Sequence, residues 1–134
     1  MADRVSMPKP GSFASREEYY STLFHEMTHS TGHRSRLARD GVTNPTLFGS
    51  HAYSREELVA EMGAAFLAGH CGIETQTLDN SAAYLAGWLR VLRKDARMVV
   101  WAGGQAQRAA DWITGRRQYD EQPAAQADET REAA

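Results

Sequence analysis

Apolar residues along the chain fall at helical spacing more than at strand spacing. Tyr20, Leu23, Phe24 and Met27 recur every three or four positions. They follow Ser15-Arg16-Glu17-Glu18, a serine with a glutamate three residues on, which is the pattern of a capping box. This predicts a helix over 16–31, ended by Gly32, with those four side chains on its buried face. Ser54-Arg55-Glu56-Glu57 repeats the start signal and opens a helix over 55–69, closed by Gly72. That helix is apolar nearly all round (Leu58, Val59, Met62, Ala65, Phe66, Leu67), so it belongs at the centre of the fold. A third helix is predicted over 81–93, carrying Tyr84, Leu85, Trp88, Leu89 and Leu92. Asp95 can cap a fourth over 96–114, which Gly103-Gly104 weakens.

Between these elements the pattern breaks. "DRVSM" reads as one short strand stopped by Pro8. Residues 33–53 contain Gly41, Pro45 and Gly49 without a clean period, and read as a long loop with room for a short hairpin. A loop of that length in a small domain usually has a function. After Tyr119 the tail has no large apolar residue and reads as disordered. The expected organisation is one mostly helical α+β domain over 1–114 and a tail over 115–134.

Composition narrows the function classes. The net charge of −2 gives no overall basic field for nucleic acid or an anionic membrane. No apolar run is long enough to span a bilayer, and "MADRVSMPKPGSF" has no apolar core of a secretory signal. Cys71 is the one cysteine, so no internal disulfide can form and a cytoplasmic location is expected. Cys71 reads as a small buried hydrophobe, and His70 beside it is only weak evidence for a ligand pair.

The chemistry lies in "LFHEMTHSTGH", residues 23–33. His25 and His29 are four apart on the first helix, which puts both imidazoles on one face about a turn apart, where one ion can bind both. With Glu26 they spell H-E-x-x-H. Two imidazoles on zinc leave room for a water of lowered pKa, and Glu26 is placed to take its proton as general base. The competing reading is two satisfied histidines on a half-buried helix. A cap and an amphipathic frame around the motif favour the metal.

A catalytic zinc wants a third protein ligand. The extended metzincin motif would place a histidine at position 35, where this chain has Ser35. His33 falls beyond the predicted helix end at Gly32 and reads as a cap or loop residue. Glu57 and Glu61, spaced i, i+4 on the central helix beside Ala64, Ala65 and Ala68, are better candidates, because carboxylates in an apolar helix need a partner or a metal. Glu57 has a simpler role as the capping-box glutamate, and Glu61 as half of an internal ion pair. The pair resembles the gluzincin pattern, in which an upstream glutamate ligates and an acidic residue one turn later orients a histidine. That order makes Glu57 the ligand and Glu61 its support or the alternative ligand.

Longer stretches carry a more specific resemblance. "MPKPGSF", "REEYYSTLFHEMTHSTGHRSRLARD", "YSREELVAEMGAAFL", "AAYLAGWLRVLRKDAR" and "AQRAADW" resemble the C-terminal zincin-like metallopeptidase domain of ArdC-type antirestriction proteins, over about residues 3–114. The resemblance implies a zincin-like fold with a small sheet or edge strand. It implies Zn2+ on His25, His29 and a glutamate of "EELVAE", with Glu26 catalytic. It also implies a setting in mobile elements, where such proteins protect incoming DNA. Full-length members carry an N-terminal domain that binds single-stranded DNA. This sequence starts at the metallopeptidase domain, so direct nucleic-acid binding is not expected of it, and a DNA-binding domain on another chain is a candidate partner.

The expected function is peptide-bond hydrolysis of a protein or peptide substrate, with no membrane partner. The alternative is a non-catalytic module that inhibits a restriction enzyme or regulator by contact. A third reading shares the chemistry and takes a transcriptional repressor as substrate, and a fourth is a small helical domain without metal. Residue types do not separate zinc from manganese or cobalt. Tyr53, His51, His33 and Tyr84 are candidates to donate to an oxyanion or line the cleft, with core packing the simpler role for the aromatics. Arg34, Arg36 and Arg39 read as a solvated basic loop.

Overall fold

The structure, a computed structural model, describes residues 3–44, 54–73 and 81–116, without the side chains of 81–85. Among the described residues a short 3-10 turn, Pro10–Ser12, precedes five helices: α1 (Arg16–Thr31), α2 (Asp40–Thr43), α3 (Arg55–His70), α4 (Ser81–Lys94) and α5 (Arg97–Thr114). The start signals act as capping boxes do. Ser15 Oγ accepts from the Glu18 amide and Ser54 Oγ from the Glu57 amide, each at 3.1 Å. The Glu18 carboxylate reaches back one residue further than in the standard box, to the Ala14 amide at 2.7 Å. The Asp95 carboxylate accepts from the Arg97 amide at 3.2 Å, just ahead of α5.

Helix α3 is central, as its apolar composition requires, and packs against both α1 and α5. Leu58 and Val59 from α3, Trp88 from α4, and Met98, Ala102 and Ala106 from α5 form the core, with Met62, Val91 and Leu92 packed against it. Helix α5 runs unbroken through Gly103-Gly104. A Cβ on Gly103 would meet Met62 Cε at 3.3 Å, so its bareness lets α5 approach α3.

Several expectations change. Residues 3–9 form no strand, and no strand occurs among the described residues. Extended backbone becomes sheet only when a second segment completes the ladder, and no described segment does so. The face of α1 is also different. Tyr20 is 41% exposed, and the fully buried side chains are Thr28 and Thr31. The aromatics at the start of α1 pack on one another instead: Phe13–Tyr19 and Tyr19–Tyr20 centroids are each 5.3 Å apart. Cys71 is exposed, because the buried stripe of α3 stops at Leu67 and Ala68. The chain then turns at Gly72, whose φ of +68° suits glycine. The loop after α1 is partly ordered into α2, while its stretch 45–53, with His51, Tyr53 and the optional hairpin, lies outside the described residues, as do the tail 117–134 and the Tyr84 side chain. Among the described residues no helix is long and apolar enough to cross a membrane.

Helices α1 and α3 touch through Thr28 and Gly63. A Cβ at Gly63 would lie 2.5 Å from Thr28 Cγ2, and Thr28 is held in place by donating to Phe24 O at 2.7 Å. Gly63→Ala should therefore destabilise the fold by about 1–3 kcal/mol through overpacking. This outweighs the roughly 1 kcal/mol by which alanine is the better helix former. Chemical denaturation measures the difference, and a neutral or stabilising result would mean that α1 and α3 can part without loss.

Candidate metal centre

The close approach at Gly63 brings the first two turns of α3 against the motif on α1. Glu57 reaches both histidines: Oε2 lies 3.3 Å from His25 Nε2, and Oε1 lies 3.2 Å from His29 Nε2. The two Nε2 atoms are 3.1 Å apart. The other nitrogens face different carboxylates, His25 Nδ1 to Glu61 Oε1 at 3.2 Å and His29 Nδ1 to Glu56 Oε1 at 3.1 Å.

The donor chemistry follows from these contacts. A carboxylate only accepts, so each Nδ1 facing one carries the hydrogen, and a neutral ring then has its lone pair at Nε2. Two lone pairs and a carboxylate thus converge, and the cluster needs a cation, either protons or a metal. Tetrahedral ligands about 2.0–2.1 Å from one zinc lie ~3.3 Å from each other. The 3.1 Å between the two Nε2 atoms fits that demand, and Glu57 offers each of them one carboxylate oxygen at 3.2–3.3 Å. Glu56 and Glu61 supply the outer hydrogen bonds that fix tautomer and ring direction in metal sites.

Protons compete for the same atoms. Burial opposes a charge on His25, but hydrogen bonds to Glu57 and Glu61 outweigh it and raise its pKa to about 10. His29 rises to about 9, burial again being outweighed, here by Glu56 and Glu57. Hydrogen bonds from His25 and His29 hold Glu57 down at about 2. A raised histidine pKa contributes stability that is complete below about 6.5, its unfolded value, and is lost as pH rises through the folded value. Glu57, being depressed, contributes above its unfolded value of about 4.5 and loses that as pH falls toward 2. The metal-free protein should therefore lose thermal stability between pH 7 and 10, while its zinc affinity rises over the same interval as protons leave. Melting curves and chelator competition at several pH values test both slopes, and parallel slopes would count against a shared site.

Glu26 lies beside a cleft of about 450 Å³ that it lines together with His29, Ser30 and His33. Asp3, Arg4 and Val5, from the segment expected to be a strand, line it as well. His33 is a loop residue, its Nδ1 2.8 Å from Ser35 Oγ. The basic loop is less solvated than its composition suggests. Arg34 is exposed, but Arg36 grips Asp3 with two nitrogens, at 2.9 and 2.5 Å, and Arg39 is buried at 5% exposure. Neither Glu56 nor Arg39 stands out from the sequence as part of the site. The one signal for Glu56 is its place next to Glu57 in "REELVAE". A loop arginine among other arginines gives none.

The sequence profile of the zincin-like metallopeptidases matches residues 1–105. The chain belongs to that family. Two solved structures of the antirestriction protein ArdC from plasmid R388 resemble this zincin-like chain. The metal-free form is 41% identical with a TM-score of 0.64, covering 84% of this chain and 39% of ArdC. The Mn(II)-bound form is 36% identical with a TM-score of 0.60 over the same shares. An uncharacterised protein of Sinorhizobium fredii, y4eC, is 36% identical over 132 residues, 98% of this chain and 40% of that protein. The DNA primase TraC of Escherichia coli is 36% identical over 134 residues, 98% of this chain and 12% of the primase. The chain thus spans 40% or less of the length of these relatives. The ArdC likeness expected from the five quoted stretches is met.

Proposed function

We propose that this zincin-like domain is a metal-dependent peptidase in which His25, His29 and Glu57 hold one divalent ion. The observation that carries this is the convergence of both Nε2 atoms on Glu57 while both Nδ1 atoms are taken by other carboxylates. When bound, the ion supplies Lewis acidity and a water of lowered pKa. Glu26, one residue from His25 and lining the cleft, takes the proton of the attacking water and passes it to the leaving amine. Glu61 and Glu56 keep the rings aimed. The cleft receives the peptide. A set of two imidazoles and a carboxylate suits zinc. Manganese is the alternative, since ArdC was solved with Mn(II). The likeness to a plasmid antirestriction protein supports a mobile-element setting.

The test is hydrolysis of a quenched-fluorescent peptide mixture by protein stripped with a chelator and then reloaded with Zn(II) or Mn(II). Cleavage that disappears on stripping and returns on reloading is expected. Loaded protein that cleaves nothing would favour a second reading, a module that inhibits a restriction enzyme by contact. That reading draws support from the antirestriction role of ArdC.

A further inference from the structure

We infer that Arg39 is a positioning residue for the metal centre, acting through Glu56 on the ring of His29. The inference rests on the metal-centre reading above. Arg39 Nε donates to Glu56 Oε2 at 2.9 Å and Nη2 to Oε1 at 2.7 Å, a two-point clamp of guanidinium on carboxylate. The same Oε1 accepts from His29 Nδ1 at 3.1 Å. One oxygen therefore links Arg39 to the ring, and the carboxylate plane is set by the fork that grips it. Rotation of the carboxylate would turn the ring and swing the His29 Nε2 lone pair away from the Nε2 of His25 and from Glu57.

The rest of the guanidinium is fixed to α1. Nη1 donates to Thr31 Oγ1 and Nη2 to Thr28 O, both at 2.7 Å. The charge is thus tied at once to the helix carrying both histidines and to the helix carrying Glu57. The loop is shaped to deliver it. The Arg39 amide donates to Gly32 O at 3.1 Å, after a turn at Ala38, whose φ of +47° is unusual for a residue with a Cβ. A Cβ at Gly32 would lie 3.0 Å from Arg39 Nη2, and one at Gly41 would lie 2.7 Å from Glu56 Cβ. Both positions are bare where the clamp needs room.

The two histidines are supported differently. The Glu56 side chain on His29 is 9% exposed and clamped, whereas the Glu61 side chain on His25 is 39% exposed. Loss of Glu56 should accordingly matter more than loss of Glu61.

The experiment measures Zn(II) affinity by chelator competition and the Co(II) absorption spectrum for wild type, Glu56→Gln, Glu61→Gln, Arg39→Lys, Arg39→Met and the double variant Arg39→Met/Glu56→Gln. Each metal-free melting temperature is taken alongside. Arg39→Lys keeps the charge but cannot span both oxygens, so it serves if Arg39→Met fails to fold. Glu56→Gln and Arg39→Met should each weaken zinc by about 10–100-fold, with a changed Co(II) spectrum and a smaller loss in Glu61→Gln. The double variant should bind no worse than the weaker single one, because both substitutions break the same link. Thr31→Val, which removes another Arg39 contact without touching Glu56, should lower stability and leave zinc affinity near wild type. Additive losses in the double variant, unchanged affinity in Arg39→Lys, or an equal loss in Thr31→Val would overturn the inference. Wild-type protein that binds neither ion would overturn it together with the metal-centre reading, whereas binding that ignores Arg39 would overturn it alone.

Discussion

Glu26→Gln is expected to retain its metal and to lose peptide hydrolysis by about 10²–10⁴-fold. The substitution keeps the shape of the side chain and removes its ability to accept a proton. His25, His29 and Glu57 hold one another without Glu26 among their contacts, so the ligand cluster should stand. Metal content and the rate on a peptide substrate are read on the same sample. If hydrolysis survives with the ion in place, the general base lies elsewhere. If neither form hydrolyses any peptide while both hold the ion, the binding-module reading gains.

Glu57→Ala should abolish tight metal binding, and Glu61→Ala should only weaken it. Glu57 faces the Nε2 of both histidines, whereas Glu61 faces the Nδ1 of His25. Removing an outer carboxylate costs roughly 10–100-fold in affinity, and removing one of three protein ligands should exceed that. Zinc per protein chain after purification without added metal gives the answer. The reverse order of losses would make Glu61 the ligand and Glu57 the support.

The local signals in the sequence were good guides to helices. Ser15 and Ser54 mark the starts of α1 and α3 because capping is settled within four residues. The apolar composition of α3 indicates its central place, since such a helix has to be covered on several sides, but Ala65 and Phe66 from that girdle stay exposed. What could not be read depends on neighbours. The burial of Thr28 and Thr31 in place of Tyr20 follows from how closely α3 approaches, which no period on α1 records. A strand over "DRVSM" has the right residue types, but pairing needs a second segment.

The candidate site divides in the same way. His25, Glu26 and His29 sit on one helix, where spacing alone implies geometry. Glu57 and Glu61 sit on another helix, and the sequence ties them to the site only because carboxylates in an apolar helix need partners. Glu56, one residue from Glu57, lies about 100° further round the helix, so only the crossing of α1 and α3 decides that it meets His29. Arg39 is harder still. Its loop looks like an ordinary basic surface segment, and one of its three arginines turns inward because the chain bends back at Ala38.

The formula H-E-x-x-H treats its two middle positions as blanks. In this fold one of them, Thr28, is pressed against Gly63 on another helix, 35 positions along the chain, with no space for an added methyl between them. The two positions should therefore vary together among related sequences. A bulky residue at 28 should demand glycine at 63, and alanine at 63 should occur only with serine or alanine at 28. Met27, the other blank, is only half-buried and free of that constraint. The two blanks differ in information content, and a search pattern pairing position 28 with position 63 would select this fold more sharply than the five-residue formula does.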